Sequence, residues 1–322
     1  MKAIVQHRYG SPDVLKLEEI PKPSAGDEEV LVKIQAASAN AGDWHLMRAN
    51  PFLLRLMFGL LKPKHKILGA DVAGQVEAVG KNVKQFQPGD EVFGVLSGFG
   101  FGAFAEYVCV PENALVLKPT RLSFEEAAAV PTAALTALQS LRDQGQIQPE
   151  QKVLINGASG GVGSFAVQIA KSFGAKVTGV CSTRNLDMVR SIGADHVIDY
   201  TQEDFTKNGQ RYDLIVDAAA YRSLSDYKQV LSSKGIYVLI GGSTVRFFQA
   251  MILGPWLSTV GGRKIGTMGM KPNQADLVIL KDLIEAGTVA PIIGRRYKLS
   301  EVPLAIRYLE TGHARGKVVI SV

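Results

Sequence analysis

The spacing of apolar and polar positions changes character once along the chain. Over residues 1–121 the apolar residues come in short runs that partly alternate with polar ones: Ala3–Gln6, Glu29–Gln35, Asp71–Val79 and Phe104–Val110. Turn-forming clusters at Pro21–Asp27 and Gln87–Asp90 separate them. Short alternating runs punctuated by Pro, Gly and Asp predict strands, and their regular spacing predicts a small antiparallel barrel. At Ser123 the period lengthens. Ser123-Phe-Glu-Glu126 has the capping-box form that opens a helix, here through Ala129. Pro131 is expected to interrupt, and Ala133–Leu141 to resume as helix. Strand and helix patterns then alternate: strand Val153–Ile155, helix 163–173, strand Lys176–Cys181, helix 185–192 and strand His196–Ile198. Strand Asp213–Asp217, helix 223–231 and strand Ile236–Ile240 follow. Such alternation predicts a parallel sheet covered on both faces. Arg263–Met268 reads as a further strand at a sheet edge, Asn273–Ala286 as an amphipathic helix, and the tail from Gly316 as a last strand.

Two apolar stretches fit neither pattern. Residues 51–61 are broken only by Arg55 and Gly59 and are followed by Lys62, Lys64 and Lys66. They allow a core helix, a hydrophobic flap over a substrate site, or a surface that touches a membrane. Residues 247–257 are apolar but interrupted by Gly254 and Pro255.

Composition narrows the class. At 322 residues, with 46% hydrophobic and 20% charged residues, the chain has room for two globular domains. The net charge of +6 is scattered, which argues against nucleic-acid binding and suits an anionic small molecule. Cys109 and Cys181 have no metal-type spacing and imply a reducing compartment, so a cytoplasmic location is expected. The first residues carry no apolar signal core, and no run reaches the ~18 apolar residues of a transmembrane helix.

The densest chemical signal is Lys152–Ala170. A short apolar strand runs into Gly157, Gly160, Gly161 and Gly163, then into a helix. Two frames fit a dinucleotide fingerprint: Ala158-x-Gly160-x-x-Gly163 and Gly161-x-Gly163-x-x-Ala166. Glycines there let the backbone approach a pyrophosphate, whose charge sits on the N–H groups of the helix start. The strand Lys176–Cys181 ends where an NAD enzyme carries an acid for the ribose 2′-hydroxyl, roughly 20 residues on. This chain has Ser182, Thr183, Arg184 and Asn185. An arginine, two hydroxyls and an amide suit a 2′-phosphate, so NADPH is the expected cofactor. Tyr200 reads either as an adenine-stacking ring or as a half-buried strand-end tyrosine.

These residues, with Asn40-Ala-Gly-Asp43, Leu68–Val76, Pro88–Gly94 and Gly312–Val318, resemble the medium-chain dehydrogenase/reductase superfamily over nearly the whole chain. Within it the chain looks like the zinc-free quinone oxidoreductase group, the ζ-crystallin-like enzymes. The fold implied is α/β: a Rossmann doubly wound parallel sheet at 123–270, and a GroES-like, mostly antiparallel β-barrel at 1–122 rejoined by 271–322. Zinc alcohol dehydrogenases of the superfamily place a cysteine where this chain has Asn40 and a histidine where it has Ala70, so no metal is expected. By resemblance, Ser182, Arg184, Asn185 and Tyr200 hold the adenine-phosphate end. Ser159, Gly160, Gly161 and Val162 lie under the pyrophosphate. Thr136, Ile240–Gly241 and Met268–Gly269 meet the nicotinamide. Asn40 and Asp43 sit in the interdomain cleft, Trp44 and His45 lie near the substrate, and Lys317 either reaches the cleft or is surface. A homodimer joined along the edge strand near Arg263–Met268 is implied too.

The implied chemistry is hydride transfer from NADPH to an acceptor already electrophilic, a quinone or an α,β-unsaturated carbonyl. Asn40 and His45 are the candidates to polarise its carbonyl, and His45 or water the candidates to supply a proton. The competing readings are a 2-enoyl-thioester reductase and an NADPH-binding protein without turnover that has a partner or membrane-surface role.

Overall fold

The computed structural model describes residues 1–259 and 262–322, and leaves the side chains of 255–259 undescribed. The chain divides into two compact units. One comprises Met1–Ala133, Lys271–Gly287 and Pro291–Val322, the other Ala134–Met270 with Thr288–Ala290.

The first unit is built on Glu29–Ala39, an eleven-residue strand with buried apolar positions on both faces. It pairs antiparallel with Asp71–Val79, Tyr107–Pro111 and Lys317–Ser321. Glu91–Val95 and Leu115–Leu117 extend the sheet on one side. On the other, Ile293–Lys298 runs parallel to the C-terminal strand. The C-terminal residues therefore pair directly with a strand laid down more than two hundred residues earlier. A separate ribbon joins Lys2–Val5 to Lys16–Glu19. The mostly antiparallel character follows the predicted alternation.

The capping box forms as predicted: Ser123 N–H donates to Glu126 Oε2 at 2.9 Å, and Glu126 N–H to Ser123 Oγ at 3.3 Å. Pro131 does not interrupt a helix but begins one, Pro131–Gln139. At the first helical position a missing N–H costs nothing, because that group would have no intrahelical acceptor.

In the second unit six strands, all parallel, lie in the order His196–Asp199, Lys176–Cys181, Lys152–Asn156, Tyr212–Asp217, Leu231–Leu239, Lys264–Thr267. This is the doubly wound order, and its direction reverses between Lys152–Asn156 and Tyr212–Asp217. The apolar runs predicted as buried strands are so: Val153, Leu154, Ile155, Leu214, Ile215 and Val216 are fully buried. Lys264–Thr267 takes the predicted edge position.

Both unassigned apolar stretches depart from the simplest expectation. Thr244–Thr259 is one continuous helix, not a run broken at Gly254. A Cβ at Gly254 would stand 2.7 Å from the Ile265 carbonyl, so the glycine lets the helix lie close on the edge strand. Residues 51–61 are not a core helix. Only Leu54–Phe58 is helical, and Phe52, Leu53, Leu56, Met57, Leu60 and Leu61 are exposed. A five-residue helix has too little surface to bury apolar groups on every side.

Candidate functional site

The glycine turn lies at the carboxyl ends of the parallel strands, where open α/β sheets bind ligands. Strand Lys152–Asn156 passes through Gly157 to Gly160, the residue that caps helix Gly161–Ser172. Gly160 has no side chain to accept from the first-turn N–H groups, which leaves those donors to an anion. Gly163 is required by space: a Cβ there would lie 2.1 Å from the Gly157 carbonyl oxygen. Ser159, Gly160, Gly161 and Val162 are partly exposed around this helix start.

The neighbouring strands bring the other predicted cofactor residues to the same edge. Ser182 caps the short turn Thr183–Asn185 after Lys176–Cys181. Tyr200 follows His196–Asp199 and is half exposed, its N–H donating to the Cys181 carbonyl at 3.0 Å. Asn185 is buried and donates through Nδ2 to Ser159 Oγ and Ser182 Oγ, each at 3.1 Å. Its Oδ1 is buried with no partner. An unsatisfied buried acceptor is rare, and here it adjoins the glycine turn, so the donor set fits a dinucleotide carrying hydroxyl donors. Arg184 is exposed. The sequence reading found no carboxylate at this position, but one stands close. Asp199, at the end of the adjacent strand, accepts from Thr183 Oγ1 at 2.5 Å and from Thr201 N–H at 3.0 Å. The Thr183 bond is the main cause that holds its carboxyl below the usual range.

Ile240 and Gly241 follow Leu231–Leu239, and Met268 and Gly269 follow Lys264–Thr267. Ile240 N–H donates to the Asp217 carbonyl at 2.8 Å, and Met268 N–H to the Leu239 carbonyl at 2.8 Å. Thr136 is buried on helix Pro131–Gln139.

Sequence reasoning missed a buried network at the reversal point. Asn156 and Asp217 are register partners at the ends of their strands. Asn156 Nδ2 donates to Asp217 Oδ1 at 2.8 Å, and Tyr237 Oη to Asp217 Oδ2 at 2.8 Å. Asn156 Nδ2 also lies 3.2 Å from Tyr227 Oη. Burial pushes the Asp217 carboxyl upward against these donors. The signal was present: Val153-Leu-Ile and Leu214-Ile-Val each end in one polar residue.

In the first unit, Asn40, Asp43 and Lys317 come together around a residue not singled out from the sequence, Asp71. Asp71 is fully buried. Its Oδ2 accepts from Ser38 Oγ at 2.6 Å and Asn40 Nδ2 at 2.9 Å, with Lys317 Nζ at 3.3 Å. Its Oδ1 accepts from Thr132 N–H at 2.9 Å and Thr132 Oγ1 at 2.5 Å. Lys317 also donates to Asn40 Oδ1 at 2.5 Å and is only 3% exposed, so it is not a surface lysine. Asp43 caps its own helix, Ala41–Arg48: Asn40 N–H donates to Oδ2 at 2.7 Å and Gly69 N–H to Oδ1 at 3.1 Å. Burial raises the Asp43 carboxyl to about 7, helped by Asp71 and opposed by the two N–H donors and Lys317.

Trp44 and His45 stack with ring centroids 3.6 Å apart. His45 Nδ1 lies 2.5 Å from the Asn50 carbonyl oxygen. A carbonyl only accepts, so Nδ1 carries the proton and Nε2 of the neutral ring is a bare acceptor. Burial lowers the pKa of His45, which favours that neutral form. Among the described residues no group of three or more His, Cys, Asp or Glu side chains is placed to hold a metal ion.

Comparison with known proteins places these features in context. Residues 26–120 match the alcohol dehydrogenase GroES-like domain, and residues 192–320 match a family described as zinc-binding dehydrogenase. A chloroplastic quinone-oxidoreductase of Triphysaria versicolor is 35% identical, covering 99% of this chain and 98% of its own. A chloroplastic NADPH-dependent alkenal/one oxidoreductase of Arabidopsis thaliana is 36% identical, over 99% of this chain and 79% of its own. The structure of a quinone oxidoreductase from Coxiella burnetii superposes with a TM-score of 0.89 at 31% identity, covering 100% and 99% of the two chains.

Proposed function

Because the chain belongs to the quinone oxidoreductase group of the medium-chain dehydrogenase/reductase superfamily, and so is an NAD(P)H oxidoreductase, we propose that it uses NADPH to reduce a quinone or an α,β-unsaturated carbonyl without zinc. The observation that carries the cofactor reading is the strand-end assembly: an uncapped helix start at Gly160, the unpartnered Asn185 oxygen, and Ser182 where an NAD enzyme carries an acid, with Arg184 two residues on. Ser182, Arg184, Asn185 and Tyr200 hold the 2′-phosphate and adenine end. The helix start at Ser159–Val162 holds the pyrophosphate. Thr136, Ile240, Gly241, Met268 and Gly269 border the nicotinamide, which when bound supplies the hydride.

The metal-free reading rests on donor chemistry. The amide of Asn40 is engaged by Lys317 and Asp71, and Ala70 offers no ligand atom. An acceptor must then be electrophilic in itself. Reduction leaves negative charge on the acceptor oxygen, and Lys317, fixed beside Asn40 and Asp71, is the cation of this cluster. His45 is a poor proton donor, since its one N–H is spent on Asn50 and its other nitrogen accepts. Water is the proton source in this proposal. Two unpaired thiols agree with a reducing compartment such as the cytoplasm, and the edge strand Lys264–Thr267 is the surface along which a dimer would pair.

The test is optical cofactor oxidation with NADPH and NADH against a benzoquinone, a 2-alkenal, an enoyl thioester and a simple aldehyde, with and without a zinc chelator. Rapid NADPH-selective turnover of quinone or enal, unchanged by chelator and absent with the aldehyde, is the expected result. Turnover confined to the enoyl thioester moves the assignment to that substrate class. Loss of activity with chelator sinks the metal-free reading, and tight NADPH binding with no turnover sinks the enzyme reading.

A further inference from the structure

We propose that residues 52–66 form a docking surface for an anionic lipid bilayer. The segment is apolar on its outside, while its inside is held to the unit that carries it. Tyr9 Oη donates to the carbonyls of Phe58 at 2.9 Å and Gly59 at 2.8 Å. The rings of Phe58, His65 and Phe101 meet edge to face, with centroids 5.3–6.2 Å apart. Arg55 stacks over Tyr9 and Phe52. The contacts of Tyr9, Phe58, His65 and Phe101 hold the inner side and leave Phe52, Leu53, Leu56, Met57, Leu60 and Leu61 outside, the last 86% exposed. Water gives no reason to hold so many large apolar side chains outward on a pinned scaffold, and a patch of this kind marks a contact surface.

Charge selects the occupant. Between Asp43 and Asp71 the chain has no acidic residue, yet it has Arg48, Arg55, Lys62, Lys64 and Lys66. Arg48 pairs with Glu310. Lys62, Lys64 and Lys66 are exposed, and none forms an ion pair among the described residues. Apolar side chains followed directly by three free ammonium groups match the layering of a bilayer surface, hydrocarbon beneath anionic headgroups. The segment is too short to span, and no described helix is long and apolar enough to cross a membrane. Docking is therefore peripheral and reversible. It does not depend on which acceptor the protein reduces.

The experiment is vesicle flotation of the full chain with phosphatidylcholine alone and with phosphatidylcholine containing phosphatidylglycerol. Wild type is expected to float with the anionic vesicles at low salt and to be released by high salt or neutral vesicles. Leu56→Ser/Met57→Ser/Leu61→Ser should lower partitioning at least about tenfold. Lys62→Ala/Lys64→Ala/Lys66→Ala should do the same through the charge alone. Circular dichroism and thermal melting, unchanged in both variants, show that folding is intact. Wild type left in the unbound fraction, or the apolar variant floating like wild type, overturns the proposal. So does a wild-type dimer that the apolar variant converts to monomer, since a second copy then covers the patch.

Discussion

Asp43 shows how one residue's surroundings set its chemistry. Its carboxyl accepts from two backbone N–H groups, that of Asn40 at its own helix start and that of Gly69, yet burial lifts it to about 7. The folded state thus holds a proton that the unfolded chain releases near pH 4. Its contribution to stability is complete below the unfolded value and is lost as pH rises through about 7, at roughly 1.4 kcal/mol per pH unit between the two. Asp43→Asn should be less stable at pH 5, because an amide NH₂ faces one of the two N–H donors. It should also lack that slope, which denaturant unfolding at pH 5 and pH 8 will show; an unchanged slope would place the titration elsewhere. Arg184 carries a second prediction. Arg184→Ala should raise the KM for NADPH about tenfold or more, the worth of a charge-assisted hydrogen bond, and leave that for NADH nearly unchanged. Equal losses with both cofactors would refute the 2′-phosphate assignment. The Asp71 cluster was only half legible. Lys317 read equally as surface lysine or cleft residue, and only pairing of its strand with Glu29–Ala39 shows it to be buried.

At the scale of elements, the glycine turn is specified by the chain itself. A strand, a turn and an amphipathic helix stand in sequence, and Gly163 is needed because the Gly157 carbonyl crosses where its side chain would be. Gly163→Val must move that backbone. It is expected to destabilise the second unit by ~2 kcal/mol or more and to abolish NADPH-dependent fluorescence enhancement. Retention of both would mean that the turn relaxes at little cost. Helix Thr244–Thr259 taught the opposite lesson. Gly and Pro read as breaks, and the close approach to Ile265 that makes Gly254 useful belongs to the packing of two elements.

For the whole molecule, the decisive prediction concerns where the cofactor acts. NADPH at about a hundredfold over its Kd should stabilise the protein by ~2.7 kcal/mol. Amide-exchange protection should appear at 157–163 and 182–185, the carboxyl ends of the first two strands of the second unit. Protection confined to the other unit would overturn the placement. Six parallel strands bring residues from five separate loops to one edge, so the proposed site rests on the sheet and not on any single motif.

The sequence by itself determined the period of each half, the glycine turn and the capping box, because each depends on neighbours a few residues apart. It also carried the family resemblance. Tertiary structure decided which polar groups meet. Asp71 with Lys317 and Asn40, and Asn156 with Asp217 and Tyr237, pair across 20 to 277 residues, and Asp199 reaches Thr183 across a strand pair. It also decided that Phe52, Leu53, Leu56, Met57, Leu60 and Leu61 face outward. Local pattern records how apolar a segment is, while exposure depends on what the rest of the chain places against it.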